Sequence, residues 1–272
     1  MIRMTDNNKK GKNDREHLLR WITSIVLAPV LILVVGFASK VWLLLLVLLA
    51  TGIGSWEFSR ITYDEKKSKF PVDIFILLAL TIPMLAYYYG LRGLLGGMLI
   101  NIFACFSEAI TFYGKREGVL EKLAFRIFHL IYIPYCLAHI VLLGRIWIFF
   151  VLAVIFAGDC GAYYVGKKFG RRKLCPDVSP GKTVEGAVGG FCSSLVMAII
   201  FGIALSTDKN LLQLVIMALI LNIIGQLGDL AESLIKRSHG LKDSSNILPG
   251  HGGLLDRLDS LLFAFPALYY ML

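Results

Sequence analysis

No stretch of this chain reads as a soluble domain, and there is no long-period repeat and no low-complexity tract, which excludes solenoids, arrays and compositionally biased linkers. Cysteine is sparse. The five, at positions 105, 136, 160, 175 and 192, are scattered without metal-like spacing, so they read as small hydrophobes rather than as zinc ligands or a disulfide framework. Acidic residues are in short supply, 19 against 28 Lys and Arg, giving a formal charge of +9. No small-residue cleavage site follows the first apolar run, so the polar stretch up to Arg20 reads as the flank of an uncleaved anchor. A phosphate-binding P-loop is missing too: Gly181-Lys182-Thr183 ends like one, but the upstream glycine and its four-residue spacer are absent.

What the chain does have is apolar length. Hydrophobic residues make up 57% of its 272 positions and the mean hydropathy is +0.70, which overrides the expectation of one or two soluble domains. Runs long enough to span a bilayer, about 17 to 25 residues each, begin near Trp21, Val41, Val72, Leu91, Ala124, Ile146, Val184, Leu211 and Leu258. The expected fold is therefore an all-α polytopic integral membrane protein of about nine transmembrane helices, N-terminus cytoplasmic and C-terminus outside. The basic residues test this independently, because Lys and Arg concentrate in cytoplasmic loops. With that topology only Lys40, Arg92, Arg145 and Lys209 of the 28 fall outside. The excess positive charge then belongs to the cytoplasmic face, where it suits anionic head groups and a polyanionic soluble substrate rather than nucleic acid.

Chemical density divides the chain. Residues 1–145 are expected to form about five helices with few intramembrane charges, and 146–272 about four helices carrying the chemistry. In the first region Glu57 and Glu108 read as helix-end carboxylates, snorkelling or paired with a nearby base. Pro29, Pro83 and Pro134 read as kinks. The pairs Gly93/Gly97 and Gly186/Gly190 have the spacing of close helix packing.

In the second region, Ser233 to Asp259 packs basic and acidic residues beside apolar spans. Asp256 and Asp259 are three apart, so on a helix both share a face and can share a cation. Before them, Pro249-Gly250-His251-Gly252-Gly253 offers backbone N–H groups with little side-chain bulk, of the kind that approach a phosphate at a helix start. Lys236, Arg237, Lys242 and Arg257 supply positive charge for polyphosphate. Gln226, Asp229, Glu232 and Ser233 recur at three- and four-residue steps on one stripe. The deepest, Asp229, reads as a metal ligand in preference to a carboxylate paired with Lys236. Upstream, Asp159 and Tyr163 share a helical face that continues to Gly166 and Lys167, and Ser179-Pro180 reads as the N-cap and first-turn proline of the seventh span.

These residues resemble the CDP-diacylglycerol synthase (phosphatidate cytidylyltransferase) family. Its signature S-x-x-K-R, four residues, K-D, then P-x-H-G-G-x-x-D-R-x-D is matched by Ser233, Lys236, Arg237, Lys242, Asp243, Pro249, His251, Gly252, Gly253, Asp256, Arg257 and Asp259. The family's Ser-Pro-Lys-Lys-Thr-x-Glu-Gly block is similar to Ser179–Gly186, with Gly181 in the third position. The resemblance implies transfer of a cytidylyl group from CTP to phosphatidate, at the cytoplasmic side of a bacterial inner membrane, by a homodimer. It implies Mg²⁺ on Asp229, Asp256 and Asp259, with a second cation of unknown identity. Lys182, Lys236, Arg237, Lys242 and Arg257 would then clamp phosphates, and His251 would donate a hydrogen bond or position its loop rather than act as a base. Tyr163, Lys167, Ser179, Thr183, Asp243, Gly252 and Gly253 complete the implied substrate contacts, Asp243 meeting the cytidine amino group or simply pairing with Lys242. Two rival classes stand beside this. A cation or proton transporter would explain Asp159 and Asp229 but not the basic cluster, and another lipid phosphotransferase, such as a polyprenol kinase, could share the metal chemistry.

Overall fold

The computed structural model describes residues 29–62, 72–115, 117–205, 207–248 and 252–272. Of the expected features, the start of the first span, the basic residues up to Arg20, Lys66, Lys67, Lys69, Arg116, Pro249, Gly250 and His251 lie outside the described residues. Among those described, six helical segments are long and apolar enough to cross a membrane. The chain is an integral membrane protein built almost wholly of helices.

After a helical stretch at 29–36 come α1 (Lys40–Thr62), α2 (Val72–Phe112), α3 (Val119–Leu130) and α4 (Cys136–Leu142). The second of these is a hairpin. Gly90 leaves helical geometry at φ 62°, ψ −145°, and beyond it the Asn101 side chain donates to Thr81 Oγ1 at 3.0 Å. Twenty residues would span about 30 Å in a straight helix, so the chain has turned back on itself. The runs expected from Val72 and from Leu91 are its two arms. Gly97 makes the turn tight, since a Cβ there would lie 3.1 Å from Ile82 Cα. Between α3 and α4, Pro134 sits in a π-helical turn, Ile131–Tyr135, where its missing N–H and ring widen the helix without ending it.

The second half consists of α5 (Arg145–Phe169), a hairpin of β1 (Lys173–Cys175) and β2 (Ser179–Thr183), then α6 (Val184–Ala204), α7 (Leu211–Ser238) and α8 (Leu255–Met271). Small residues bring α5 and α6 into contact: a Cβ on Gly186 would lie 2.8 Å from the Ala162 carbonyl oxygen, and one on Gly190 3.0 Å from that of Gly158. This is the close packing expected of both glycine pairs. Buried apolar side chains form two cores, one around Phe150, Leu214 and Leu221, the other around Ile82, Tyr132 and Ile133. Leu49, Phe103, Ile110, Val188, Ile203 and Leu212 face outward, a surface suited to lipid.

One expectation is corrected here. Ser179 and Pro180 do not open α6; they lie in β2, antiparallel to β1, and the cap is Thr183, whose Oγ1 accepts from Gly186 N at 3.1 Å. Lys173 Nζ donates to the Pro180 carbonyl at 2.7 Å, and Glu185 accepts from the backbone N–H groups of Arg171 and Arg172. Proline lacks the donor a central strand needs, but this two-stranded hairpin is all edge.

Candidate active site

Six elements border a cavity of about 650 Å³, and four of them supply its charged side chains. From α5 come Asp159, Tyr163, Gly166 and Lys167; from β2, Ser179, Gly181, Lys182 and Thr183; from α7, Gln226 and Asp229; from α8, Asp256, Arg257, Asp259 and Ser260. Two backbone approaches set this arrangement. A Cβ on Gly228 would overlap the Asp259 carbonyl oxygen, and one on Gly225 would lie 2.7 Å from Ile155 Cδ1. These glycines let α7 press against both α5 and α8, so Asp159, Asp229 and Asp259 share one wall.

The hairpin supplies the opposing charge. Lys182 Nζ lies 2.7 Å from Asp229 Oδ2 and 3.4 Å from the Gln226 carbonyl oxygen. Lys167 and Arg257 are the other cations on the cavity wall. Carboxylates and cations thus line one space large enough for a nucleotide phosphate chain, a composition suited to binding phosphate.

Behind this wall lies a second ionic cluster. Lys236, buried in α7, bonds Glu232 Oε2 at 2.6 Å and Asp256 Oδ1 at 2.5 Å. The other oxygen of Asp256 accepts from Ser244 N (3.0 Å), Ser244 Oγ (2.9 Å) and Gly253 N (2.8 Å). Asp256 therefore ties Ser244 to Gly253 while also reaching the cavity. Gly252 holds φ 85° where its N–H and C=O bond Leu248, a backbone region that favours glycine. Gly253 has no room for a side chain, because a Cβ would overlap Ser244 Oγ.

Of the residues singled out in the sequence, Tyr163, Lys167, Ser179, Lys182, Thr183, Asp229, Asp256, Arg257 and Asp259 line the cavity. Gly252 and Gly253 shape the adjoining loop. Lys236 is turned away into its ion cluster, and Arg237 donates to the Leu241 carbonyl at 2.9 Å. Lys242 and Asp243 are exposed and do not line the cavity. His251 lies outside the described residues. Asp159 joins the carboxylate wall, a placement that its position within an apolar run did not disclose.

Among the described residues, no three His, Cys, Asp or Glu side chains form a closed metal site. The wall still suits Mg²⁺, a hard cation that takes oxygen ligands, keeps several waters and is commonly held by one or two carboxylates together with substrate phosphates.

Residues 18–272 match the cytidylyltransferase family. The chain belongs to that family. Among curated members, the phosphatidate cytidylyltransferase of Bacillus subtilis is 44% identical over 164 residues, covering 58% of this chain and 61% of the relative. Its counterpart in Haemophilus influenzae is 39% identical over 199 residues, covering 72% and 63%. That of Staphylococcus saprophyticus subsp. saprophyticus is 47% identical over 129 residues, covering 47% and 50%. The chain thus spans about half to three-fifths of the length of the relatives it matches. The family match includes every element that lines the cavity.

Two carboxylates in the first half behave differently from each other. Glu108 pairs with Arg126, as expected of a carboxylate beside a base. Glu57 does not snorkel: it is fully buried and accepts from Ser245 Oγ (2.5 Å), Leu254 N (2.9 Å) and Leu255 N (2.7 Å). Its contact with the motif loop was missed because nothing local links α1 to a loop nearly two hundred residues later. The available signal was an acid in an apolar run.

Proposed function

We propose that this chain transfers the cytidylyl group of CTP to phosphatidate, producing CDP-diacylglycerol and pyrophosphate. The observation that carries the reading is the cavity, which Asp159, Asp229 and Asp259 line together with Lys182, Lys167 and Arg257 in a member of the cytidylyltransferase family. A phosphate oxygen of phosphatidate attacks the α-phosphorus of CTP, the bond from that phosphorus to the bridging oxygen breaks, and pyrophosphate leaves with the electron pair. The attacking oxygen is already ionised, so no protein nucleophile or base is needed. The protein's work is alignment and neutralisation of charge.

Lys182, held by Asp229 and the Gln226 carbonyl, aims its ammonium at the phosphates. Arg257 and Lys167 extend the clamp, with Ser179 and Thr183 on the same side of the cavity and Tyr163 offering a ring beside Lys167. Mg²⁺ held by Asp229 and Asp259, with Asp159 and Asp256 beside them and room for a second cation, would offset the nucleotide's negative charge when bound. Arg237 and Lys242 lie outside the cavity and suit steering of the polyanion; Asp243, also outside it, meets the cytidine amino group or simply pairs with Lys242, and His251 is assigned a hydrogen bond or the positioning of its loop.

Pyrophosphate release by detergent-purified protein is expected to require CTP and phosphatidate together. Equal release without phosphatidate, or transfer of the γ-phosphate to a lipid alcohol, replaces this reading with a hydrolase or a kinase.

The same proposal includes nine spans, division near residue 145, two copies per assembly, and a cytoplasmic site in a bacterial inner membrane. The partition of basic residues supports the orientation. So do the bonds of Arg145 to the Gly36 and Ala38 carbonyls (2.9 and 2.5 Å) and of Lys209 to that of Leu272 (3.1 Å), which tie together loops expected outside. In intact cells, an impermeant thiol reagent is expected to label single-cysteine Lys209→Cys readily and Lys242→Cys poorly; the opposite pattern inverts the map.

A further inference from the structure

The N-terminus of α8 carries the residues that face the cavity, yet its cap position, Leu254, has no side-chain cap. A helix start leaves backbone N–H groups without intrahelical partners, and burying them unpaired is costly. Here the acceptor comes from another helix. Glu57, on α1, takes Leu254 N on Oε1 and Leu255 N on Oε2. A carboxylate at this point also faces the positive end of the helix dipole.

The same carboxylate reaches the other side of the loop. Ser245 Oγ donates to Oε1 at 2.5 Å and Ser244 Oγ to Oε2 at 3.4 Å, so both oxygens are shared between the helix start and the Ser244-Ser245 turn. The approach depends on Gly253, where a Cβ would lie 2.7 Å from Glu57 Oε1. Asp256 grips the same segment from within, through Ser244 and Gly253. Ser244 is the common element: its hydroxyl lies between the two carboxylates.

We infer that Glu57 is a positioning residue for cytidylyl transfer: it caps α8 across the bundle and ties Ser244 and Ser245 to the Gly253–Leu255 helix start, and so sets where Asp256, Arg257 and Asp259 stand on the cavity wall. The inference rests on the proposed reaction for its catalytic consequence, but its structural half stands on these contacts alone. Glu57 does not line the cavity, so it acts on the chemistry only through the residues it places.

Glu57→Gln is nearly isosteric but has one acceptor oxygen for donors that now occupy two. In the full-length protein in detergent, it is expected to raise hydrogen–deuterium exchange in peptides spanning residues 252–258 by about tenfold, with α5 and α6 unchanged. Turnover should fall about tenfold or more, the KM for phosphatidate should stay within about twofold, and the Mg²⁺ concentration for half-maximal activity should rise. Should Glu57→Gln not fold, Gly253→Ala, which drives a methyl group against Glu57, and Ser245→Ala, which deletes one donor, are expected to give the same exchange signature in graded form. Unchanged exchange at 252–258, or a loss of activity that merely follows the folded fraction with Mg²⁺ dependence intact, overturns the inference. If wild-type protein shows no turnover that depends on CTP and phosphatidate, the proposed reaction fails, and the exchange measurement still decides whether Glu57 holds the loop.

Discussion

Asp259→Asn is expected to lower turnover by about 100-fold, some 2.7 kcal/mol of transition-state stabilisation, while leaving the amount of folded protein unchanged. Asp259 stands on the carboxylate wall with Asp159 and Asp229. It accepts from its own helix neighbour Ser260, with the backbone N at 2.7 Å. An asparagine oxygen keeps that bond, so packing and the helix start are preserved. The lost negative charge is what the proposed metal requires, and neutralising one ligand in phosphoryl transfer removes several kcal/mol of stabilisation. Kinetic measurement on purified protein, beside Asp208→Asn in an expected external loop as a near-wild-type control, checks this. Normal turnover with unaltered Mg²⁺ dependence would make the carboxylate structural and remove Asp259 from the metal assignment.

Asp256→Asn should behave differently, although the two aspartates are three residues apart on one helix. Its carboxylate takes Lys236 on one oxygen and three donors on the other. The amide keeps a single acceptor and presents an NH₂ group either to the Lys236 ammonium or to the Ser244 and Gly253 N–H groups. The Lys236 and Asp256 side chains are only 10% and 9% exposed, and breaking such a buried pair costs about 3 kcal/mol or more. The variant is therefore expected to lose both activity and thermal stability, read as an earlier transition in fluorescence-detected size exclusion. Because Lys236 and Asp256 form one network, Lys236→Met combined with Asp256→Asn should destabilise by less than the two changes added. Additive losses, or a stable but inactive Asp256→Asn, would show that Asp256 acts directly on the substrate or metal and that the loop does not depend on it.

The contrast between these aspartates marks how far the linear pattern could be read. Three-residue spacing is enough to put both on one helical face, and both do border the cavity. It is silent on which partners reach that face from elsewhere. Lys236 illustrates the same limit. Its place in a basic cluster made it a phosphate clamp, whereas Glu232, one turn earlier, and Asp256, on the next helix, draw its ammonium into the protein. Ser179 and Pro180 looked like a helix start because residue types at caps are a local signal, but the pairing of β2 with β1 moved the start to Thr183.

Run length, hydropathy and the distribution of Lys and Arg are properties of the chain taken in order. They sufficed for a largely helical integral membrane protein, because the cost of burying a charge or an unpaired backbone group in lipid acts on each segment separately, but not for the β1–β2 hairpin that carries Lys182. Which carboxylate does which job was decided only in the folded bundle. Glu57 meets Ser244 and Leu255 across 187 and 198 residues of sequence, and Lys182 meets Asp229 from a hairpin between two helices. Such pairings depend on close packing, as at Gly253, where a side chain would meet Ser244 and Glu57, and a buried carboxylate takes whatever donors that packing brings within reach.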